Sequence, residues 1–221
     1  MAPSLEYPVP TLTDGVVALR PWTAGDTACV VAGTGGTEAD ARAWIERQRG
    51  RPTTGMGLSL GITDAASDTA VGYVGLLARP KLEQGVVRAE GGGAELVFAT
   101  QPGSFGIGYW VLERERGRGL ATRAVALLAH WALREPGVER IEALVEPGNV
   151  PSHLVAERAG FEREGLMRSY LEIGGRRADA VVYSLIRADL DEPEALRRAA
   201  RPAVGRDAGA VGRGSSAGAS S

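Results

Sequence analysis

The sequence predicts one α/β domain over residues 12–190, and three observations carry that reading. A chain of 221 residues is long enough to bury a sizeable core, and its 44% apolar residues are those of a globular protein rather than a disordered one. Two segments, 56–78 and 161–186, read as strand pairs around polar or glycine turns. Between them lies a strand pattern, a glycine turn, a long helical pattern and another strand pattern, over 105–146.

Each element follows from local chemistry. Residues 1–11 hold Pro3, Pro8 and Pro10 and are expected to be a flexible arm. GVVALRPW (15–22) reads as a strand that stops at Pro21, which has no N–H for a ladder. Asp26 is placed to cap a short helix through ACVVAG, and Thr37 with Asp40 has the spacing of a capping box. Behind that box Ala41, Trp44, Ile45 and Gln48 share a helix face. The 56–78 hairpin turns at Asp64–Asp68. Residues 79–104 read as an exposed loop around AEGGGA, with ELVFA (95–99) as a short strand. FGIGYWVL (105–112) is a strand whose Gly106 and Gly108 suggest a bulge or a close backbone approach. Leu120, Ala124, Leu127, Leu128 and Trp131 mark one face of a helix ended by Pro136 and Gly137. RIEALVE (140–146) alternates as a strand, and a turn at PGN leads to a helix from Asn149 or Val150 with Pro151 at a permissive position. Gly160 closes that helix, and Gly174–Gly175 turns the last hairpin. Residues 191–221 read as a short helix followed by a disordered Gly/Ala/Ser-rich tail.

Composition narrows the function classes. A net charge of −2 disfavours general nucleic-acid binding. The single Cys29 excludes an intramolecular disulfide and a cysteine-based zinc cluster, and its apolar setting reads as core. His130 and His153 lack metal-ligand spacing, so no metal is expected. No basic leader followed by an apolar stretch opens the sequence, and no apolar run reaches a membrane span. A cytoplasmic protein without nucleic-acid or membrane partners is expected, as monomer or homodimer.

RERGRGLATRAV (114–125) carries the chemistry. Free N–H groups and partial positive charge at a helix start, reached through glycines, can hold an anion with little net charge. Arg114, Arg116, Arg118 and Arg123 surround the turn, offset by Glu113 and Glu115. A helix entry with a solvated charge run fits the same residues. The spacing matches neither the nucleotide-binding phosphate loop nor the dinucleotide fingerprint.

Arg114-Glu115-Arg116-Gly117-Arg118-Gly119, then Asn149, Ser152, Gly160-Phe161 and Glu164-Gly165, and finally Asp179 with Tyr183-Ser184-Leu185, form an ordered set. That set resembles the GNAT superfamily of acetyl-CoA-dependent N-acetyltransferases, and most closely its RimJ/RimL-like branch. The resemblance is firm over about 106–187 and weaker around VVALRPWTAGD. It implies a mixed, mostly antiparallel, V-shaped sheet flanked by helices, splayed between the strands at 106–112 and 140–146. It implies acetyl-CoA as cosubstrate, with pantetheine along Trp110, Val111 and Leu112 and pyrophosphate on Arg116, Gly117, Arg118, Gly119, Leu120 and Ala121. The backbone of Gly117–Ala121 is expected to matter more than the arginines.

The same resemblance makes Ser152 a proton donor to the departing thiolate, or else a helix cap, and Asn149 a cofactor contact, or else a turn residue. Both are therefore candidate catalytic and cofactor-binding residues. A tyrosine acid used elsewhere in the superfamily is replaced by Ala156. A branch glutamate that can serve as base is replaced by Gly106, leaving Glu90, Glu95 or a water relay. An acceptor amine with a pKa near 7.7–8.0, such as a protein N-terminus, needs less help than a lysine. Tyr109 and Trp110 must lie on opposite faces of their strand, and Trp22 and Trp44 either pack or shape the acceptor side. Expected partners are a protein N-terminus or a small-molecule amine. The alternative is an acyl-CoA-binding module with little catalysis.

Overall fold

A computed structural model describes residues 5–78 and 103–191. The expectations for the 79–102 segment, Glu90, Glu95 and the tail beyond 191 lie outside the described residues. The elements run β1 (Leu12–Thr13), β2 (Val17–Pro21), α1 (Thr27–Thr34), α2 (Glu38–Arg49), β3 (Gly57–Asp64), β4 (Ala70–Ala78), β5 (Ser104–Val111), α3 (Leu120–Ala132), β6 (Arg140–Val145), α4 (Val150–Arg158), β7 (Glu162–Ile173), β8 (Arg176–Ile186) and α5 (Arg187–Asp191).

The strands form one sheet in the order β1-β2-β3-β4-β5-β6-β8-β7. Every neighbouring pair is antiparallel except β5 and β6. Those two are joined through α3, the crossover that a parallel pair requires. Their ladder holds only Ser104↔Arg140, Phe105↔Ile141 and Gly106↔Glu142, after which the strands part. The splay expected from the resemblance is therefore the place where one side of β5 loses its partner.

Alternation sorts the side chains into two layers. Leu58, Leu60 and Ile62 of β3, Val74 and Leu76 of β4, Phe105 and Ile107 of β5 and Ile141 and Ala143 of β6 pack with Leu120, Ala124, Val125 and Leu128 of α3. On the other face Trp22, Ala70 and Leu112 pack with Cys29 and Val30 of α1 and Ala41 and Ile45 of α2. Cys29 is buried as expected, and burial, then Asp26, pushes its thiol up to about 11.

Several local devices match their sequence signals. Thr37 and Asp40 form the capping box of α2. Asp64 Oδ1 accepts from the N–H groups of Ala66 and Ser67 and so makes the 64–68 turn. Gly160 N–H donates to Glu157 O, and Phe161 N–H to Ala156 O, a left-handed helix stop with buried Phe161 packed behind it.

Three expectations change. Residues 5–8 are not a free arm, because Leu5 is buried in the α3-side core and the Tyr7 hydroxyl donates to Arg49 O. β5 pairs with β4 in unbroken register, so Gly106 and Gly108 mark no bulge. Asp26 precedes α1 but does not cap it. Its carboxylate is instead gripped by both terminal nitrogens of Arg20, at 2.8 and 3.0 Å, and by the N–H and hydroxyl of Thr23.

That grip has a pH signature. Burial alone would raise the carboxyl of Asp26, but hydrogen bonds from Arg20 and Thr23 outweigh it and hold the group below its ordinary value. The unfolded chain then binds the proton more readily, so this stabilisation is complete above about pH 4 and fades as pH falls through the lower folded value. Asp26→Asn is expected to cost about 1–2 kcal/mol at pH 7, since it removes one of the two carboxylates on a largely buried guanidinium and leaves Arg20 only its ion pair with Asp68 at 2.7 Å. In thermal melts the gap from wild type should shrink below about pH 4; a gap undiminished at pH 2 would refute the assignment.

Candidate active site

The site is built from the open edge of β5, the turn into α3 and the start of α4. Residues Glu113–Glu115 form a single 3-10 turn after β5, Arg116 is extended, and Gly117 and Gly119 both have positive φ (76° and 75°). Gly119 is the N-cap of α3 in the left-handed region and supplies no capping side chain. The first-turn N–H groups of α3 thus lack an intrahelical acceptor. A side chain at Gly117 or Gly119 would meet no described atom within 4 Å, so the space above the turn is open. Glycine is needed there for backbone conformation, and the open helix start can receive an anion such as a phosphate.

The arginines around the turn are engaged. Arg118 pairs with Glu115, Arg114 lies 3.5 Å from the same carboxylate, and Arg123 reaches Asp14 at 2.6 Å. Arg116 Nε donates to Val111 O at 3.5 Å. Local positive potential therefore rests on the helix start more than on free guanidinium groups.

β5 offers one usable register to a ligand in the gap. Leu112 N–H donates to Val71 O, so Leu112 and, by alternation, Trp110 turn their backbone groups toward β4. Val111 and Tyr109 turn theirs toward the parting from β6. Of Trp110, Val111 and Leu112, only Val111 turns its backbone groups away from β4. The backbone of Leu112 is already used and its side chain is buried on the α1–α2 face.

Asn149 and Ser152 are brought together at the start of α4. Asn149 is the N-cap, and its Oδ1 accepts from Ser152 N–H at 3.3 Å. The capping role open for Ser152 thus belongs to Asn149. Ser152 sits in the first turn, with its Oγ uncommitted among the described residues. Tyr109, on the α3–α4 face, crosses the gap and donates its hydroxyl to Ser152 O at 3.2 Å. That bond ties the open edge of β5 to α4. Burial raises the Tyr109 phenol, so it stays protonated as a donor.

Sequence reasoning missed a second network behind α4. His153 Nδ1 lies 3.0 Å from the Tyr183 hydroxyl, Nε2 lies 3.2 Å from Pro147 O, and Tyr183 donates to Glu157 Oε1 at 3.2 Å. Burial first, then Glu157, pushes Tyr183 up to about 12. The late motif positions also acquire roles in knitting strands. Ser184 donates to Glu164 Oε1 at 2.7 Å, and Asp179 accepts from Ser169 N–H at 2.7 Å. Each partner is distant in sequence or on another strand, which hid these bonds from a linear reading.

Trp110 lies opposite Tyr109, on the α1–α2 face. It joins Trp22, Trp44 and Tyr73 with ring centroids 5.2–6.4 Å apart. Trp22 is fully buried and donates Nε1–H to Ser59, so it is packing; Trp44 and Trp110 are partly exposed. Gly33 of α1 makes this cluster possible, because a Cβ there would lie 2.4 Å from the Trp110 ring.

A sheet that opens beside an anion-receptive helix start defines the architectural class of this protein. The chain belongs to the GNAT acetyltransferase family, whose domain model, "Acetyltransferase (GNAT) domain", matches residues 16–162. The Bacillus subtilis (strain 168) protein named "Probable N-acetyltransferase YjcK" is 39% identical over 83 residues, 38% of this chain and 46% of that protein. The [Ribosomal protein uS5]-alanine N-acetyltransferase of Escherichia coli (strain K12) is 32% identical over 83 residues, 38% of this chain and 43% of that protein. The matched stretch thus spans just under half the length of these relatives. Mycobacterium smegmatis RimJ, solved in complex with CoA-disulfide, is similar over 90% of this chain and 97% of its own, with TM-score 0.65 and 26% identity. The RimL ribosomal L7/L12 acetyltransferase shares the fold at TM-score 0.61 and 17% identity over 80% of this chain and 97% of its own.

Gly33→Ala separates two opposing effects. Helix propensity alone predicts a gain of about 1 kcal/mol, whereas overpacking against Trp110 predicts a loss of about 1–3 kcal/mol. The clash at 2.4 Å makes the loss the expected result, read as a lower Tm and altered tryptophan fluorescence.

Proposed function

We propose that this chain transfers the acetyl group of acetyl-CoA to a primary amine by direct transfer in a ternary complex, with a protein N-terminal α-amine as the favoured acceptor. The reading rests on one juxtaposition: the unpaired edge of β5 at Val111, the left-handed glycine turn into α3, and the Asn149–Ser152 turn, tied to β5 by Tyr109. The relatives named ribosomal-protein acetyltransferases support the α-amine acceptor, and CoA in the RimJ complex supports the donor. A cytoplasmic setting accords with such acceptors.

Acetyl-CoA, when bound, supplies the thioester as electrophile. The chain's own groups would do the rest. N–H groups from Gly117 to Ala121 would hold the pyrophosphate, and the Val111 backbone would hold the pantetheine amides. The Val111 N–H is also the donor placed to polarise a carbonyl in the gap. Asn149 keeps its side-chain NH2 for the ligand while its Oδ1 holds α4. Ser152 Oγ would pass a proton to the thiolate.

The test is free-thiol release from acetyl-CoA across a panel of peptides with free N-termini, lysine-side-chain peptides, polyamines and aminoglycosides. Amine-dependent release is expected, with N-terminal peptides the best acceptors. Tight CoA binding without release on any amine would establish the acyl-CoA-binding module instead, a reading favoured by Gly106 and Ala156.

Two variants probe the residues. Gly119→Val should cut acetyl-CoA affinity at least tenfold, since it forces a β-branched residue to φ 75° and crowds the anion cradle. Unchanged affinity by calorimetry would sink the pyrophosphate assignment. Ser152→Ala should lower kcat about 10- to 100-fold with little change in acetyl-CoA affinity; full turnover would remove Ser152 from the chemistry.

A further inference from the structure

Acetylation of a protonated amine needs an acceptor for its proton, and β5 offers none at the opening because positions 106 and 108 are glycines. The opening, however, has two walls. In the β5–β6 ladder Gly106 stands directly beside Glu142, on the last rung before the strands part. Neighbours on a parallel rung send their side chains to the same face, about 4.8 Å apart.

That face is fixed by the packing. Ile141, Ala143 and Val145 of β6 point into the core beneath α3 and α4. Glu142 therefore points the other way, to the face where Trp110 meets α1. A ligand that threads the gap from the α3 side would present its reacting end toward that face. The Glu142 side chain is only 12% exposed, so it is enclosed rather than free in solvent.

Among the described residues, the other carboxylates around the opening are less suited. Glu115 holds Arg118 at the turn, Glu157 accepts from Tyr183 behind α4, and Glu146 lies past the end of β6, 3.6 Å from Arg176. Glu142 accepts from Arg140 Nε at 2.6 Å. Arg140 is also held by both oxygens of Glu164, which Ser184 supports in turn, so neutralising Arg140 does not depend on Glu142. The Arg140 bond at Oε1 is one of the contacts that orient the Glu142 carboxylate.

We propose that Glu142 is the proton acceptor for the amine, directly or through one water. This rests on the transferase reading above. The R–NH3+ group gives one proton to the Glu142 carboxylate and becomes R–NH2. Its lone pair forms the N–C bond to the acyl carbon, and the C–S bond breaks with its electrons on sulfur. The second amine proton reaches that sulfur by way of the Ser152 hydroxyl, which ends unchanged. Glu142 returns its proton to water, so the balance is R–NH3+ plus thioester giving amide, thiol and H+.

The test uses the full chain, acetyl-CoA and the best amine from the acceptor panel. Glu142→Gln keeps the shape and is expected to lower kcat about 100-fold, with acetyl-CoA affinity within about twofold of wild type. Adding Gly106→Glu to that variant returns a carboxylate to the same rung from the other strand and should restore at least tenfold of the loss. A Glu142→Gln enzyme with wild-type kcat overturns the proposal. If that variant loses acetyl-CoA binding, Glu142→Asp decides, because it keeps the charge but withdraws it by one methylene. A tenfold lower kcat at unchanged affinity then supports the proposal, and wild-type kcat overturns it. No amine-dependent thiol release by wild type would overturn the transferase reading and this proposal together, whereas an active wild type matched by its variants overturns this proposal alone.

Discussion

The loss of pairing between β5 and β6 beyond Gly106 and Glu142 is the constraint on which the site depends. Backbone N–H and C=O groups in a sheet interior are costly to leave without partners. A central sheet that parts in its middle therefore demands a compensating partner along the exposed edge. The chain supplies part of one through Arg116, which reaches Val111 O, and Tyr109, whose side chain spans to α4. Both contacts are long or peripheral, and the ladder positions themselves are left for an extended amide-bearing ligand. The separation of the strands and the pantetheine binding proposed above then rest on the same backbone edge.

The charge arrangement follows the same economy. A run with four arginines looks like a cationic patch, yet Arg118 and Arg123 are each committed to a carboxylate, and Arg114 approaches one. The Arg123–Asp14 pair joins the start of α3 to the β1–β2 turn, where Asp14 also accepts from Val16 and Val17 N–H. It orients the helix whose N-terminus is the proposed anion site. The positive end there is a helix dipole and a left-handed turn held in place, which needs no net positive charge on a chain of net charge −2.

Local signals were legible in the sequence wherever their cause is local. The α2 capping box, the Asp64 turn, the Gly160 stop and the Gly174–Gly175 hairpin each arise within a few residues, and each stands where the pattern put it. The ordered motifs located the α3 and α4 starts for the same reason. Contacts set by tertiary packing were not legible. Nothing near Leu5 says that it enters the core, and nothing near Asp26 says that Arg20 takes its carboxylate away from α1. Gly33 reads as a weak point in a helix until Trp110 is seen against it. Leu112 shows a finer limit: strand alternation gives two backbone registers, and only the Val71 bond decides which one faces the gap.

Glu142 belongs to this second kind of information, and it changes how a missing residue should be read. Alternation in RIEALV already separates Glu142 from the core-facing Ile141 and Ala143. What the sequence withholds is its partner, because the parallel rung joins residues 36 apart across a helix. Where two side chains share a rung and a face, a carboxylate from either strand reaches nearly the same volume. A glycine at position 106 then removes a side chain from the site without emptying the rung. Proton acceptance, on this view, is a property of the rung at the mouth of the splay rather than of one strand. Arg140 and Glu164 extend that rung across β8 to β7, so the carboxylate at the opening is oriented by strands that lie beyond it.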